Sequence, residues 1–167
     1  MRKYGLIRHG DVVVDLGAAP GGWMQAARKT VGKNGFVLGV DLKAIKPIKD
    51  EKVRSIEGDI TQPETLAIIN ELLPHAADIV LSDVAPNVSG VWELDHARQI
   101  ELARKSLQLA LQVLRPGGNF FVKVFQGNML DDFVSEVRQC FSVVQLVKPR
   151  ASRRKSAELF VLGLRKR

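Results

Sequence analysis

Short apolar runs alternate with amphipathic stretches along the chain, and this alternation constrains the fold more than any other feature. Val12-Val13-Val14-Asp15-Leu16 is β-branched, too short for a helix and closed by Gly17, which predicts a buried strand. Phe36 to Asp41 reads as a second strand, Val53 to Ile56 as a third, Ile79 to Asp83 as a fourth and Phe120 to Phe125 as a fifth. Helical patterns lie between them. Trp23 to Val31 is one. Pro63 is suited to open another, with Leu66, Ile69 and Leu73 on one face and Pro74 closing it. The clearest follows a loop from Ala85 to Glu93. It has Asp95 as its predicted N-cap, a stripe of Ile100, Ala103, Leu107, Ala110 and Leu114, and Pro116-Gly117-Gly118 as its stop. Leu130, Phe133, Val137 and Phe141 stripe the last helix.

Such alternation means parallel strands joined by right-handed crossovers, with helices on both faces. Two final strands, Val143 to Val147 and Leu159 to Leu164, are separated only by Pro149 to Ala157. A loop that short cannot make the crossover a parallel neighbour needs, so this pair should be antiparallel. The expected fold class is α/β, a seven-stranded, mostly parallel sheet with one reversed strand near an edge.

Charge is distributed unevenly. The net charge is +7, yet residues 1–147 hold 17 basic and 17 acidic side chains. All of the excess lies from Lys148 onward, where eight Lys and Arg face one acid, Glu158. A basic cluster on a neutral body suits a polyanion, RNA or DNA, although a solvated basic tail has the same composition. Cys140 is the single cysteine, which excludes an internal disulfide and suits a reducing cytoplasm. No apolar run approaches the roughly 18 residues that span a bilayer, and Met1 to Gly5 lack the apolar core of a signal peptide. His9, His75 and His96 show no metal-ligand spacing with one another or with the cysteine, so no metal site is expected.

In an open α/β sheet, ligands bind beyond the carboxyl ends of the strands. The first strand here ends in Asp15-Leu16-Gly17-Ala18-Ala19-Pro20-Gly21-Gly22-Trp23, the second in Asp41, the third near Asp59 and the fourth in Asp83, with Lys123 inside the fifth. Any one such acid is commonly a turn former. Four strand exits that converge on one edge favour a binding site instead. A dinucleotide fingerprint would need glycine at positions 17, 19 and 22, but position 19 is Ala, and Pro20 removes an amide donor. This disfavours a pyrophosphate and a nicotinamide oxidoreductase. A nucleoside without phosphates fits better, and S-adenosylmethionine is one. Asp41, 24 positions after Gly17, is spaced to accept from ribose hydroxyls. Asp59 can accept from an adenine amine, and Asp83 can balance a sulfonium. Gly21 and Trp23 complete the candidate cofactor set, with Trp23 either core or pocket wall. Trp92 is read either as a loop anchor or as a platform for a base.

Three segments carry a family resemblance: Val14 to Trp23, Leu81-Ser82-Asp83-Val84-Ala85-Pro86-Asn87-Val88-Ser89-Gly90, and Val122-Lys123-Val124-Phe125-Gln126-Gly127. A fourth, Ser152-Arg153-Arg154-Lys155-Ser156-Ala157-Glu158, looks like the basic stretch before a catalytic acid. From Ile7 onward the chain resembles the FtsJ/RrmJ-type RNA ribose 2′-O-methyltransferases. The resemblance implies a Rossmann-like S-adenosylmethionine-dependent methyltransferase fold and a Lys-Asp-Lys-Glu tetrad, with Asp83, Lys123 and Glu158 as its last three members. The family's first lysine lies in a basic segment before the first strand. Lys3 has different neighbours and is not assigned to it, so the expectation is one methyltransferase domain over residues 1–167 without that segment.

The resemblance implies transfer of a methyl group to a ribose 2′-hydroxyl, most closely in large-subunit ribosomal RNA. RNA rather than DNA would be held by the basic 148–155 loop, with no membrane partner. Lys123 would be the general base or the cation that orients the hydroxyl, and Glu158 would hold Lys123. A lone lysine among Phe121, Val122, Val124 and Phe125 would be costly unless paired. Transfer-RNA methylation and a non-catalytic RNA-binding relative are the alternatives. A base-directed enzyme is disfavoured, because Asp83-Val84-Ala85-Pro86 has no aromatic residue to stack on a flipped base.

Overall fold

The fold is seen in a computed structural model, which describes residues 5–148 and 157–167. Eleven elements run in the order β1 (Val12–Leu16), α1 (Gly22–Val31), β2 (Phe36–Asp41), β3 (Val53–Glu57), α2 (Pro63–Leu72), β4 (Ala77–Ser82), α3 (Trp92–Val113), β5 (Leu114–Phe125), α4 (Leu130–Cys140), β6 (Phe141–Val147) and β7 (Glu158–Lys166). The seven strands form one sheet in the order β3-β2-β1-β4-β5-β7-β6. The pairs among β1 to β5 are parallel, and β7 runs antiparallel to both β5 and β6.

β1 is buried along its whole length, as a strand covered on both faces must be. Its alternate residues feed two cores. Val12, Val14 and Leu16 pack with Ile69 of α2, Ile100 and Leu107 of α3, and Phe133 of α4. Val13 faces the other way, toward Met24, Ala27 and Val31 of α1. The chain builds outward from β1 through β2 and β3, then returns to β1's other side with β4. The strand order therefore reverses between β1 and β4, which opens a crevice at their carboxyl ends.

Several local expectations are corrected. Asp95 is not the N-cap of its helix. α3 starts at Trp92, so the preceding loop is shorter than the sequence suggests. Asp95 lies in the first turn and its carboxylate reaches back to the Ser89 and Gly90 amides at 2.8 and 3.1 Å and to the Ser89 hydroxyl at 2.7 Å. These bonds, the Ser89 amide first, hold its pKa below the ordinary carboxylate range. Pro116-Gly117-Gly118 does not follow a helix end directly but lies in the first part of β5. There the pairing with β4 jumps from Ala77↔Leu114 to Ile79↔Asn119, because Pro116 has no amide for the ladder and Gly117 takes a positive φ. Phe141 belongs to β6 rather than α4. It stacks on Phe120 with ring centroids 6.1 Å apart, over Gly163, where a Cβ would come within 2.8 Å of its ring.

Candidate active site

The crevice is closed by backbone. The Gly17 amide donates to Val40 O at 2.8 Å and the Asp83 amide to Leu16 O at 2.9 Å, so the exits of β1, β2 and β4 are bonded to one another. Gly17 has φ +74°, and a Cβ there would lie 2.7 Å from the Val84 nitrogen. Only glycine lets the β1 turn sit this close to the chain leaving β4. The turn itself is held by Asp41, whose Oδ2 accepts from the Ala19 amide and Oδ1 from the Lys43 amide, both at 2.9 Å.

A cavity of about 290 Å³ opens over these exits. Its walls include Gly17 and Ala19 after β1, Asp41 and Leu42 after β2, Gly58 and Asp59 after β3, and Asp83, Val84 and Asn87 after β4. Three predicted cofactor residues, Asp41, Asp59 and Asp83, are thus brought together. Asp59 is partly engaged: its Oδ1 accepts from the Thr61 amide and hydroxyl, which holds its pKa below the usual range. Gly21 and Trp23 are not among the wall residues. Gly21 caps α1 in a left-handed conformation, and Trp23 packs against Phe121 and Phe160 at centroid distances of 6.0 and 5.9 Å. A larger hollow of about 410 Å³ lies beside α1, against Gly22, Gln25 and Lys29. Among the described residues no acid lines it and Lys29 does, so it suits a cationic ligand less, and volume alone does not select the site.

Lys123 projects from β5 beside the cavity. Its side chain is only 12% exposed, with Nζ 2.8 Å from Asp83 Oδ1 and 3.8 Å from Glu158 Oε1. The lysine is therefore paired, as its apolar neighbours require. Glu158 comes from the start of β7, where the antiparallel register sets it opposite Phe125, two residues beyond Lys123. Asp83 belongs to both groups: it forms part of the cavity wall and pairs with Lys123. Lys3 and the basic residues Arg150, Arg153, Arg154 and Lys155 lie outside the described residues.

Two further residues bear on the site. Asp15 faces the α1 side of β1, fully buried, and among the described residues neither carboxylate oxygen has a hydrogen-bond partner. Burial, followed by the Asp83 and Asp41 charges, pushes its pKa up to about 8. A carboxylate in the run Val-Val-Val-Asp-Leu was a readable signal. Gln99 of α3 carried none. Its buried Nε2 donates to Val84 O at 3.1 Å and to Lys123 O at 2.9 Å, tying the chain after Asp83 to the end of β5.

The donor set suits a nucleoside that carries positive charge. Three carboxylates and one lysine, Lys43, line the cavity. Asp15, which has no hydrogen-bond partner among the described residues, interacts with two of those carboxylates, and Gly17 lets the β1 turn approach Val84 where any side chain would collide. Residues 1–166 match the model of the family described as FtsJ-like methyltransferase. The chain belongs to that family. It is 50% identical over 161 residues to a ribosomal RNA large subunit methyltransferase E of Methanococcus aeolicus, covering 96% of this chain and 60% of that protein. Against the same-named protein of Methanothrix thermoacetophila the identity is 53%, over 96% of this chain and 62% of that one. The chain thus spans about three fifths of the length of these relatives. Among solved structures, a provisionally assigned ribosomal RNA methyltransferase from Plasmodium falciparum superposes with TM-score 0.88 at 25% identity, over 99% of this chain and 91% of that one. Aeropyrum pernix fibrillarin, solved with bound S-adenosyl-L-methionine, shares the fold at TM-score 0.61 and 15% identity, over 95% of this chain and 68% of that one. The Rossmann-like methyltransferase fold expected from the sequence is the one observed.

Proposed function

We propose that this chain carries the catalytic centre of an S-adenosylmethionine-dependent RNA ribose 2′-O-methyltransferase, acting in the cytoplasm on large-subunit ribosomal RNA. The observation that carries this reading is the position of Asp83, which belongs at once to an acidic cavity and to the Lys123 ion pair. The names of relatives about half identical to this chain support the RNA class.

Asp41, Asp59 and Asp83 would hold the cofactor's hydroxyls, amine and cationic end, with the Gly17 turn against its amino-acid portion. When bound, it supplies a methyl group activated by a sulfonium. The protein's own task is to make a ribose hydroxyl nucleophilic. Lys123 Nζ forms ion pairs with Asp83 at 2.8 Å and with Glu158 at 3.8 Å. A hydrogen-bonding direction of Nζ turned away from Asp83 would meet the 2′-oxygen. Nζ would take up the hydroxyl proton as the oxygen–methyl bond forms and the methyl–sulfur bond breaks, leaving a neutral thioether. The resulting ammonium is then stabilised by Asp83 at 2.8 Å and Glu158 at 3.8 Å. Gln99 fixes the backbones that carry this geometry.

Incubating the protein with methyl-labelled cofactor and unmethylated large-subunit ribosomal RNA tests the reading. Label should appear in alkali-resistant dinucleotides, the mark of a blocked 2′-oxygen; label on a base, or none, defeats it. The basic cluster is proposed as the RNA contact. Neutralising Arg150, Arg153, Arg154 and Lys155 should flatten the dependence of log affinity on log salt by about 0.7 per lost phosphate contact. An unchanged slope means the cluster is only solvated.

A further inference from the structure

Among the described residues, seven large apolar side chains are exposed, and four of them, Val88, Val91, Trp92 and Leu94, fall within one stretch of the chain. Scattered exposed apolar residues need no explanation, but a cluster does. This one lies between Asp83 and the body of α3. Trp92 is the first residue of α3 and is 47% exposed. Its indole stacks on Phe125 with centroids 5.8 Å apart and planes inclined by 28°, and on His96 at 6.2 Å and 15°. Part of the ring is thus supported by protein while about half of its surface stays in water. An indole serving only to anchor the helix would be covered.

The support is rigid. His96 is buried, and its Nε2 accepts from the Met129 amide at 3.1 Å. The ring lies over Gly127, where a Cβ would come within 2.6 Å of it. Asp95 anchors the preceding turn through Ser89 and Gly90. Phe125 lies two residues beyond Lys123 on the same strand, so the two side chains share a face about 7 Å apart. Across the ladder Phe125 faces Glu158. The aromatic pile therefore borders the ion pair that would receive the ribose.

We infer that Trp92, backed by Phe125 and His96, is a stacking platform for a base of single-stranded RNA, either the target nucleotide or its immediate neighbour. This rests on the proposed RNA reading and adds to it how the nucleotide is positioned. Every base has a π-face, so the platform recognises an unstacked strand without choosing its sequence. The five basic residues of the sequence between Lys148 and Lys155 would hold the phosphates, leaving the exposed indole to hold a base.

Binding of single-stranded hexaadenylate and of an abasic ribose-phosphate hexamer tests the inference without requiring methyl transfer. Wild type should prefer hexaadenylate. Trp92→Ala should weaken hexaadenylate binding by roughly tenfold and leave the abasic oligomer unchanged, and Trp92→Phe should keep most of the preference. A protein with Trp23→Phe retains Trp92 as its one indole, whose fluorescence should be quenched by hexaadenylate and not by the abasic oligomer. That readout holds even if Trp92→Ala loosens α3. Equal binding of the two oligomers by wild type, or no quenching, overturns the platform. Stacking without methyl transfer would leave the platform standing and refute the proposed reaction; methyl transfer without stacking would do the reverse.

Discussion

The two halves of the sheet build their parts of the site by different means. In the parallel half, β1 to β4 deliver four carboxyl ends to one edge, and the side chains there are fixed by backbone bonds, as Asp41 is by Ala19 and Lys43. In the antiparallel half, β7 runs backward, so its first residue, not its last, arrives at that edge. Glu158 is thereby set beside Lys123 although 35 positions separate them, and the pair is held by charge. A parallel β7 would have placed Glu158 at the opposite end of the sheet. The parallel half offers a preformed cavity, while the reversed strand adds an ion pair to its rim. Asp83 is where the two meet.

The largest effect should separate the halves. Lys123→Ala should lower the methyl-transfer rate by about 10²- to 10⁴-fold while cofactor affinity, measured by calorimetry, stays within about twofold. Lys123→Arg should be nearly as slow, since a guanidinium cannot accept the proton. A fall in both rate and affinity would show that the halves are not separable.

Gly17→Ala should strike the other half. The left-handed backbone costs about 1–2 kcal/mol, and the clash with the Val84 nitrogen adds to it. Cofactor affinity should drop at least about tenfold and the melting temperature should fall. Unchanged affinity would mean the β1 turn does not shape the cavity.

Asp15 sharpens the comparison through pH. Its folded pKa of about 8 lies above the ordinary 3.8. Between those values the unfolded chain has released the proton and the folded chain retains it. Stability of the ligand-free protein should therefore fall as pH rises across this window, by up to about 1.4 kcal/mol per unit from this group, and level off above 8. Asp15→Asn should remove that slope in urea titrations at pH 5, 6.5 and 8. A slope identical to wild type would rule out a buried neutral carboxyl.

The smallest effect is expected at Glu158. It is half-exposed and 3.8 Å from Lys123, and exposed pairs are weak. Glu158→Gln should slow transfer by about three- to tenfold, far less than loss of Lys123, without changing stability measurably. A loss as deep as that of Lys123→Ala would make Glu158 an equal partner in proton transfer.

Much of the parallel half was legible because its signals are local. Val12 to Leu16 and Phe36 to Asp41 match β1 and β2 to the residue, and the acids at the strand exits could be listed before any fold was known. The antiparallel pair was legible too, from a loop too short to cross over. Asp95 was misplaced because a carboxylate that reaches back from inside a helix looks, in sequence, like one standing before it. Pro116-Gly117-Gly118 looked like a stop and is a bulge against Asp78, because the partner strand was not in view. Asp15 and Gln99 were missed for different reasons. The Asp15 carboxylate interrupts an apolar run, which is a local signal, but its lack of partners among the described residues shows only in the fold, and Gln99 acts through two carbonyls, one of them 24 positions away along the chain.

The most direct test of a cofactor cavity joined to a reactive lysine through Asp83 is a crystal structure of the protein with S-adenosylmethionine bound. The ligand should fill the cavity between Gly17, Asp41 and Asp83, with its methyl group turned toward Lys123 Nζ. A ligand seated instead in the hollow beside α1, or a Lys123 amine released from Asp83 and directed into solvent, would contradict it.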